Sequence, residues 1–231
     1  MKLYFSEGSP FARKVRIVLA EKRLPFESDV SGGLRSPEAT ATPTMAVPVL
    51  EDGALRLWES DLIVDYLLRT YPDAKSPVAS SAQPALSPWL ARPECHWQDM
   101  ATLAMIATCA SSMVNLRLMQ VDGITPENSD YMARQKTRFE KGLDWLEATV
   151  TDEGFAPGWF SIMDIALICP LVFCEMRGVT AWRGRPKVEA LVARHQGRPS
   201  LLATPPNAAP PLVPRYTVER RPAADMSSRT G

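Results

Sequence analysis

With 231 residues the chain can form one large domain or two small ones, and 45% hydrophobic against 23% charged residues supplies a sizeable core. Its 26 basic side chains balance 26 acidic ones, so net charge favours neither a nucleic acid nor a membrane surface as partner. No apolar run reaches the length of a membrane span and the N-terminus lacks a secretory leader pattern, so the expected compartment is the cytoplasm.

Lys2–Phe5 reads as a short strand. Ser9 and Pro10 follow it, a favoured N-cap and a favoured first helical residue. The helix predicted over Pro10–Lys22 places Phe11, Val15, Val18 and Leu19 on one face. Phe26–Val30 reads as a second strand, and Ser31–Met45 as a loop rich in turn formers. Val47–Leu50 is a compact apolar strand, Glu51-Asp52-Gly53 a hairpin turn and Ala54–Leu57 the returning strand. Leu62, Ile63, Tyr66 and Leu67 then recur at helical spacing after Glu59 and Ser60. The order is βαβ followed by ββα.

Beyond Tyr71 only helices are expected. Trp97–Met119 has its predicted apolar face at Met100, Leu103, Ala107, Ala110 and Val114. Pro126–Val150 has one at Phe139, Leu143, Leu146 and Val150. Ile162–Met176 is apolar nearly all round and reads as a central buried helix, with a kink expected at Pro170. A short helix is expected near Pro186–Arg194. The resulting division is 1–72, a linker 73–86, a helical domain 87–204, and a Pro- and Arg-rich tail 205–231 without periodicity.

Cys95, Cys109, Cys169 and Cys174 form no C-x-x-C pair and read as reduced thiols, mostly buried. The two histidines, His96 and His195, lie far apart, and no cluster has metal-ligand spacing. No G-x-S-x-G elbow supports a serine hydrolase.

Three local features carry chemistry. Ser9 sits at a helix start, where free backbone N–H groups stabilise an anion such as a thiolate. Pro48 interrupts an apolar strand, which calls for an edge position or a special bend; a cis Val47–Pro48 peptide is one way to host it. Glu59-Ser60-Asp61 opens the next helix and offers a hydroxyl and N–H groups to a carboxylate. Each position also has a purely structural reading as a cap or a strand end.

These segments resemble a family. S-P-F-A-R-K-V-R-I-V-L-A-E-K, then V-P-V-L, then E-S-D-L-I-V-D-Y-L look like the N-terminal domain of cytosolic glutathione S-transferases, of a bacterial type with a Ser-Pro-Phe motif. F-S-I-M-D-I-A-L is similar to the capping segment of that family's central helix, with Ser161 and Asp164 three apart. R-Q-K-T-R-F-E-K-G-L-D-W-L-E and G-R-P-S-L-L-A-T-P also look like segments of bacterial members. The resemblance covers roughly residues 1–206. It implies an α/β thioredoxin-like N-terminal domain followed by an all-α helical bundle, with glutathione as co-substrate and no metal.

The resemblance further implies that Ser9 faces the glutathione sulfur, that the Val47 backbone, beside cis Pro48, pairs with the cysteinyl part, and that Glu59 and Ser60 hold the γ-glutamyl end. Phe11 would line the sulfur pocket, and the Trp97–Met119 helix would supply the site for a small apolar electrophile. Tyr4 is a second hydroxyl candidate, ranked below Ser9 because a strand tyrosine more often packs in a core. The family usually has a basic residue just before Val-Pro, for the glycyl carboxylate of glutathione. Here Ala46 stands there, leaving Arg13, Arg35 or another cation to substitute.

The expected activity is a detoxifying glutathione transferase, acting as a homodimer. A glutathione-dependent thiol transferase or peroxidase is the first alternative, disfavoured by Ser rather than Cys at position 9. A non-catalytic binding or assembly module of the same fold is the second.

Overall fold

The computed structural model describes residues 1–30, 42–71, 93–207 and 216. The N-terminal unit runs β1 (Lys2–Tyr4), α1 (Pro10–Glu21), β2 (Glu27–Asp29), β3 (Val49–Asp52), β4 (Leu55–Trp58) and α2 (Ser60–Thr70). The sheet order is β2-β1-β3-β4, with β1 and β2 parallel and the other neighbours antiparallel. This is the expected thioredoxin-like βαβ-ββα arrangement. Strand boundaries differ from expectation: β1 and β2 are shorter than Lys2–Phe5 and Phe26–Val30, β4 is shifted one residue from Ala54–Leu57, and β3 departs most. Glu51 and Asp52 belong to β3, and Asp52 pairs with Leu55 across the turn. Val47 and Pro48 precede β3 rather than lying inside it, so Pro48 removes no ladder donor.

The helical unit contains α3 (His96–Val121), α4 (Asp130–Thr149), α5 (Ile162–Arg177), α6 (Pro186–His195) and a short α7 (Pro199–Leu202). α4 begins at Asp130 because Ser129 caps it, accepting from Met132 N at 3.4 Å. The buried stripe of α3 follows Asp99, Thr102, Ile106, Cys109, Ala110, Met113 and Leu116; of the expected face Ala110 is buried, Leu103 and Val114 pack partly buried on the cores, and Met100 is exposed. A helix rich in Ala, Thr and Met carries several plausible apolar stripes, and only its neighbours select one. Gly142 in α4 decides the contact: a Cβ there would collide with Cys109 Sγ, so glycine allows the two helices to approach.

α3 is also long and apolar enough, by length and composition, to cross a membrane, contrary to the expectation of no such run. Such a helix is equally typical of a soluble core, and α3 packs on α4 and α5.

α5 is apolar all round because it serves two cores. Ile165, Ile168 and Cys169 join Leu3, Val15, Val18, Leu50, Ile63 and Leu67 of the N-terminal unit. Met163, Leu167 and Leu171 join Ile106, Met113, Phe139, Leu143 and Leu146 of the helical unit. Each fully buried Leu or Ile contributes about 1.5–3 kcal/mol, so the two units are welded through this helix. Its N-terminus carries the expected reciprocal cap: Asp164 N donates to Ser161 Oγ at 3.3 Å, and Ser161 N donates to Asp164 Oδ2 at 2.7 Å. The helix continues through Pro170 to Arg177 and ends at Gly178 in the left-handed conformation.

The linker 73–86 and most of the tail lie outside the described residues.

Candidate functional site

The strand register gathers the three sequence features at one end of the sheet. Tyr4 pairs with Val49, and Val49 pairs with Trp58. β1 leaves the sheet there toward Ser9, β3 enters it from Val47-Pro48, and β4 leaves it toward Glu59-Ser60. A second tie joins the two helix starts. The buried Lys14 ammonium, five residues after Ser9, pairs with the carboxylate of Asp61, the neighbour of Ser60. Five helical residues rise about 7.5 Å, so the N-termini of α1 and α2 lie near each other.

Ser9 is half-buried at the N-cap of α1, with Pro10 first in the helix. Its Oγ accepts from Ala12 N at 3.2 Å. A hydroxyl has one proton to donate besides its acceptor lone pairs, so the cap leaves that proton available to an incoming anion. Tyr4 is differently placed: its hydroxyl donates to Glu51 Oε2 at 2.9 Å. That bond is the main cause of a phenol held above its ordinary value. Phe11, the second residue of α1, is half-buried.

The Val47–Pro48 peptide is cis, and both residues are buried. Glu59 precedes α2 at φ 70, ψ 116, an unusual conformation for a non-glycine residue. Such strain clusters at ligand sites. The Glu59 side chain makes no capping bond and is exposed, while Ser60 is buried as the first residue of α2. Glu59 is thus the positional N-cap, yet its carboxylate does not serve the helix.

Of the cations considered as substitutes near Ala46, Arg35 lies outside the described residues, and Arg13 is committed elsewhere. Arg13 Nε donates to Thr204 O at 2.7 Å and Nη2 to Leu201 O at 3.4 Å, closing the C-terminal end of α7. Burial lowers its guanidinium from the ordinary value. Arg16 lies over the Phe5 ring at 4.7 Å.

The opposite side of the Ser9 loop was not foreseen from sequence. A Cβ on Gly8 would lie 2.8 Å from Arg177 Nη2 and 3.0 Å from Asn207 Oδ1, so the missing side chain lets both settle on the loop. Arg177, at the end of α5, donates through Nη2 to Asn207 O at 3.2 Å and Oδ1 at 3.1 Å. Its guanidinium lies 5.6 Å from the Phe173 ring centre. The start of the 205–231 tail is therefore attached to the helical unit at Asn207. Glycine at position 8 was the available signal, but a lone glycine in a loop has too many other uses.

Cys109, Cys169 and Cys174 are buried, as expected, and Cys95 is half-buried. Burial pushes the thiols up, Cys109 to about 12 and Cys169 and Cys174 to about 11, so none of these three is a nucleophile. Among the described residues no group of three or more His, Cys, Asp or Glu side chains could hold a metal ion.

Residues 3–76 match the family described as Glutathione S-transferase, N-terminal domain, and residues 129–194 match Glutathione S-transferase, C-terminal domain. Together the two matches span more than half of the chain. Bovine (Bos taurus) glutathione S-transferase theta-1 is 28% identical over 199 residues, covering 82% of this chain and 80% of that protein. The uncharacterized GST-like protein YibF of Escherichia coli is 26% identical over 214 residues, covering 90% of this chain and all of its own length. Among solved structures, a glutathione S-transferase from Methylobacillus flagellatus with bound glutathione superposes with a TM-score of 0.68 at 27% identity, covering 89% of this chain and 99% of that one. One from Methylobacterium radiotolerans, in complex with glutathione sulfonate, shares the fold with a TM-score of 0.72 at 24% identity, covering 93% and 98%. With both halves matched in order on the expected fold, the chain belongs to the glutathione S-transferase family.

Proposed function

We propose that the protein binds glutathione at the sheet end where Ser9, Val47-Pro48 and Ser60 converge, and activates its thiol for attack on a small electrophile. The register Tyr4–Val49–Trp58 carries this reading, because it brings two helix N-termini and an unladdered backbone to one place. Ser9 donates its free hydroxyl proton to the sulfur, and the N-terminus of α1 adds positive potential. Both favour the thiolate. The Val47 backbone meets the cysteinyl part, Ser60 and the start of α2 hold the γ-glutamyl carboxylate, and the exposed Glu59 carboxylate takes its ammonium group. Phe11 lines the sulfur pocket. The thiolate forms a C–S bond with the electrophile, and the leaving group departs with its bonding pair. The apolar body of the electrophile rests against α3, whose Met and Ala content suits a small apolar substrate. This is detoxifying conjugation in the cytoplasm, where thiols stay reduced.

A homodimer fits the exposed apolar side chains Leu62 of α2 and Trp97 of α3, 52% and 79% exposed, with a second copy covering them. Sedimentation at micromolar concentration tests it: a single 25.5 kDa species contradicts it.

The non-catalytic module remains a second reading because Ala46 provides no cation and Arg13 faces α7. Calorimetric titration with glutathione separates the two. Saturable binding at one site per chain supports the transferase; no heat at millimolar glutathione supports the module.

A further inference from the structure

Arg177 stands beside the residue before Ser9 and has no carboxylate partner among the described residues; its hydrogen bonds go to Asn207. Arg117 has none there either. The last turn of α3 runs against the end of α5, where Gln120 Nε2 donates to Val179 O at 3.1 Å. Arg117 lies one turn before Gln120 on the same side of α3, and Arg177 two residues before Val179, near enough for the two charges to repel. Burial lowers the Arg177 guanidinium from its ordinary value, and the like charge of Arg117 adds to that. The acidic groups of the surroundings are turned elsewhere: Glu175 binds Arg183, and Glu7 acts on Arg16. Two neighbouring guanidinium groups with no carboxylate partner among the described residues, one partly desolvated, offer a receptor for an anion.

We propose that Arg117 and Arg177 bind an anionic group of the electrophile, so that the second substrate of the Ser9 site carries a carboxylate at one end of its apolar body. The inference rests on the transferase reading of Ser9 and narrows its substrate class. A planar guanidinium fork matches a carboxylate in two-point fashion. Phe173, 8% exposed, lies under the Arg177 guanidinium and holds it by a cation–π contact. Gly8 makes the arrangement possible, since a side chain there would push Arg177 off the loop.

The test compares 4-chloro-3-nitrobenzoate with its methyl ester, each rate divided by its own uncatalysed rate with glutathione. In both, the thiolate forms a C–S bond at the chlorinated carbon, chloride leaves with the C–Cl pair, and the thiol proton goes to solvent. The wild type is expected to favour the acid over the ester at least tenfold in kcat/KM. Arg117→Gln and Arg177→Gln are each expected to lower that acid-to-ester ratio about tenfold, the loss of one charge-assisted contact. Arg177→Lys should restore part of it. A wild-type ratio near one, or a ratio unchanged in both glutamine variants, overturns the proposal. Arg117 makes no hydrogen bond among the described residues, so Arg117→Gln serves where Arg177→Gln fails to fold. Calorimetric binding of 3-nitrobenzoate needs no glutathione. If the wild type conjugates neither probe, the transferase reading falls and this titration decides alone. Binding weakened tenfold by Arg117→Gln upholds the anion site; no arginine-dependent binding overturns it.

Discussion

Arg198 grips Glu21 with two parallel hydrogen bonds, Nε to Oε1 at 2.7 Å and Nη2 to Oε2 at 2.8 Å. The pair ties the segment before α7 to the end of α1. Ser200 donates to the same carboxylate, and the Arg198 guanidinium lies 4.2 Å from the Phe160 ring centre. Both side chains are largely buried, so removing one strands the other. Arg198→Ala is expected to cost about 3 kcal/mol, read from denaturant unfolding. Replacing Glu21 with Gln, which keeps the shape and one acceptor, should cost less. An Arg198→Ala protein as stable as the wild type contradicts the tie.

Two buried titrating groups give opposite slopes of stability with pH. Burial, with help from Arg198 and Arg194, lowers His195 from 6.5 to about 4. The unfolded chain therefore binds the extra proton first, and this contribution to stability is lost as pH falls from 6.5 through 4. Burial raises the Asp164 carboxyl from 3.8 to about 6 despite hydrogen bonds from Ser161 and Phe155. Its contribution is full below 3.8 and lost as pH rises through 6. The two nearly cancel in the wild type. His195→Gln should therefore leave stability falling between pH 4 and 6, by about 2–3 kcal/mol. Asp164→Asn should leave it rising over the same window. Unfolding midpoints across that pH range check both signs.

Gly142→Ala should destabilise the helical unit by about 1–3 kcal/mol through overpacking, because the new methyl meets Cys109 Sγ. Adding Cys109→Ala makes room and should recover most of the loss, which a thermal scan of the double variant reads directly.

Much of this architecture was legible in the sequence because local chemistry and global fold agree. Ser9-Pro10 starts α1, the Ser161–Asp164 pair starts α5, and the all-apolar run of α5 marks the helix shared by both cores. The apolar face of α3 is legible only in part: Leu103, Ala110 and Val114 pack inward as expected, but Met100 is exposed and Ile106, Cys109 and Met113 take the centre of the stripe. Leu62 fits the helical period of α2 yet points outward at 52% exposure; period alone does not say which edge of a stripe is covered. α7 is four residues long and carries too little pattern to be seen. At the site, Ser9, Pro48 and Ser60 announce themselves by capping and strand rules. Arg177 does not, because its place beside Gly8 exists only once the end of α5 is packed against the Ser9 loop.

Lys14 and Asp61 hold the starts of α1 and α2 together. Asp61→Ala should weaken glutathione binding about three- to tenfold by loosening Ser60, the loss expected of about 1 kcal/mol of positioning. Asp61→Glu should recover part of it. Titration calorimetry of both variants reads the effect, and an unchanged affinity in Asp61→Ala removes Asp61 from the site's support.

The central claim is that the Ser9 hydroxyl stabilises a bound thiolate. The direct measurement is the ultraviolet thiolate absorbance of glutathione bound to the wild type and to Ser9→Ala, titrated with pH well below the melting temperature of the variant. The expected result is a bound thiol pKa below that of free glutathione in the wild type. In Ser9→Ala it should move toward the free value, with conjugation slowed ten- to a hundredfold, since one hydrogen bond to a developing anion is worth about 1.5–3 kcal/mol. An identical thiol pKa and full conjugating activity in Ser9→Ala would mean that Ser9 only caps α1, and would contradict the account.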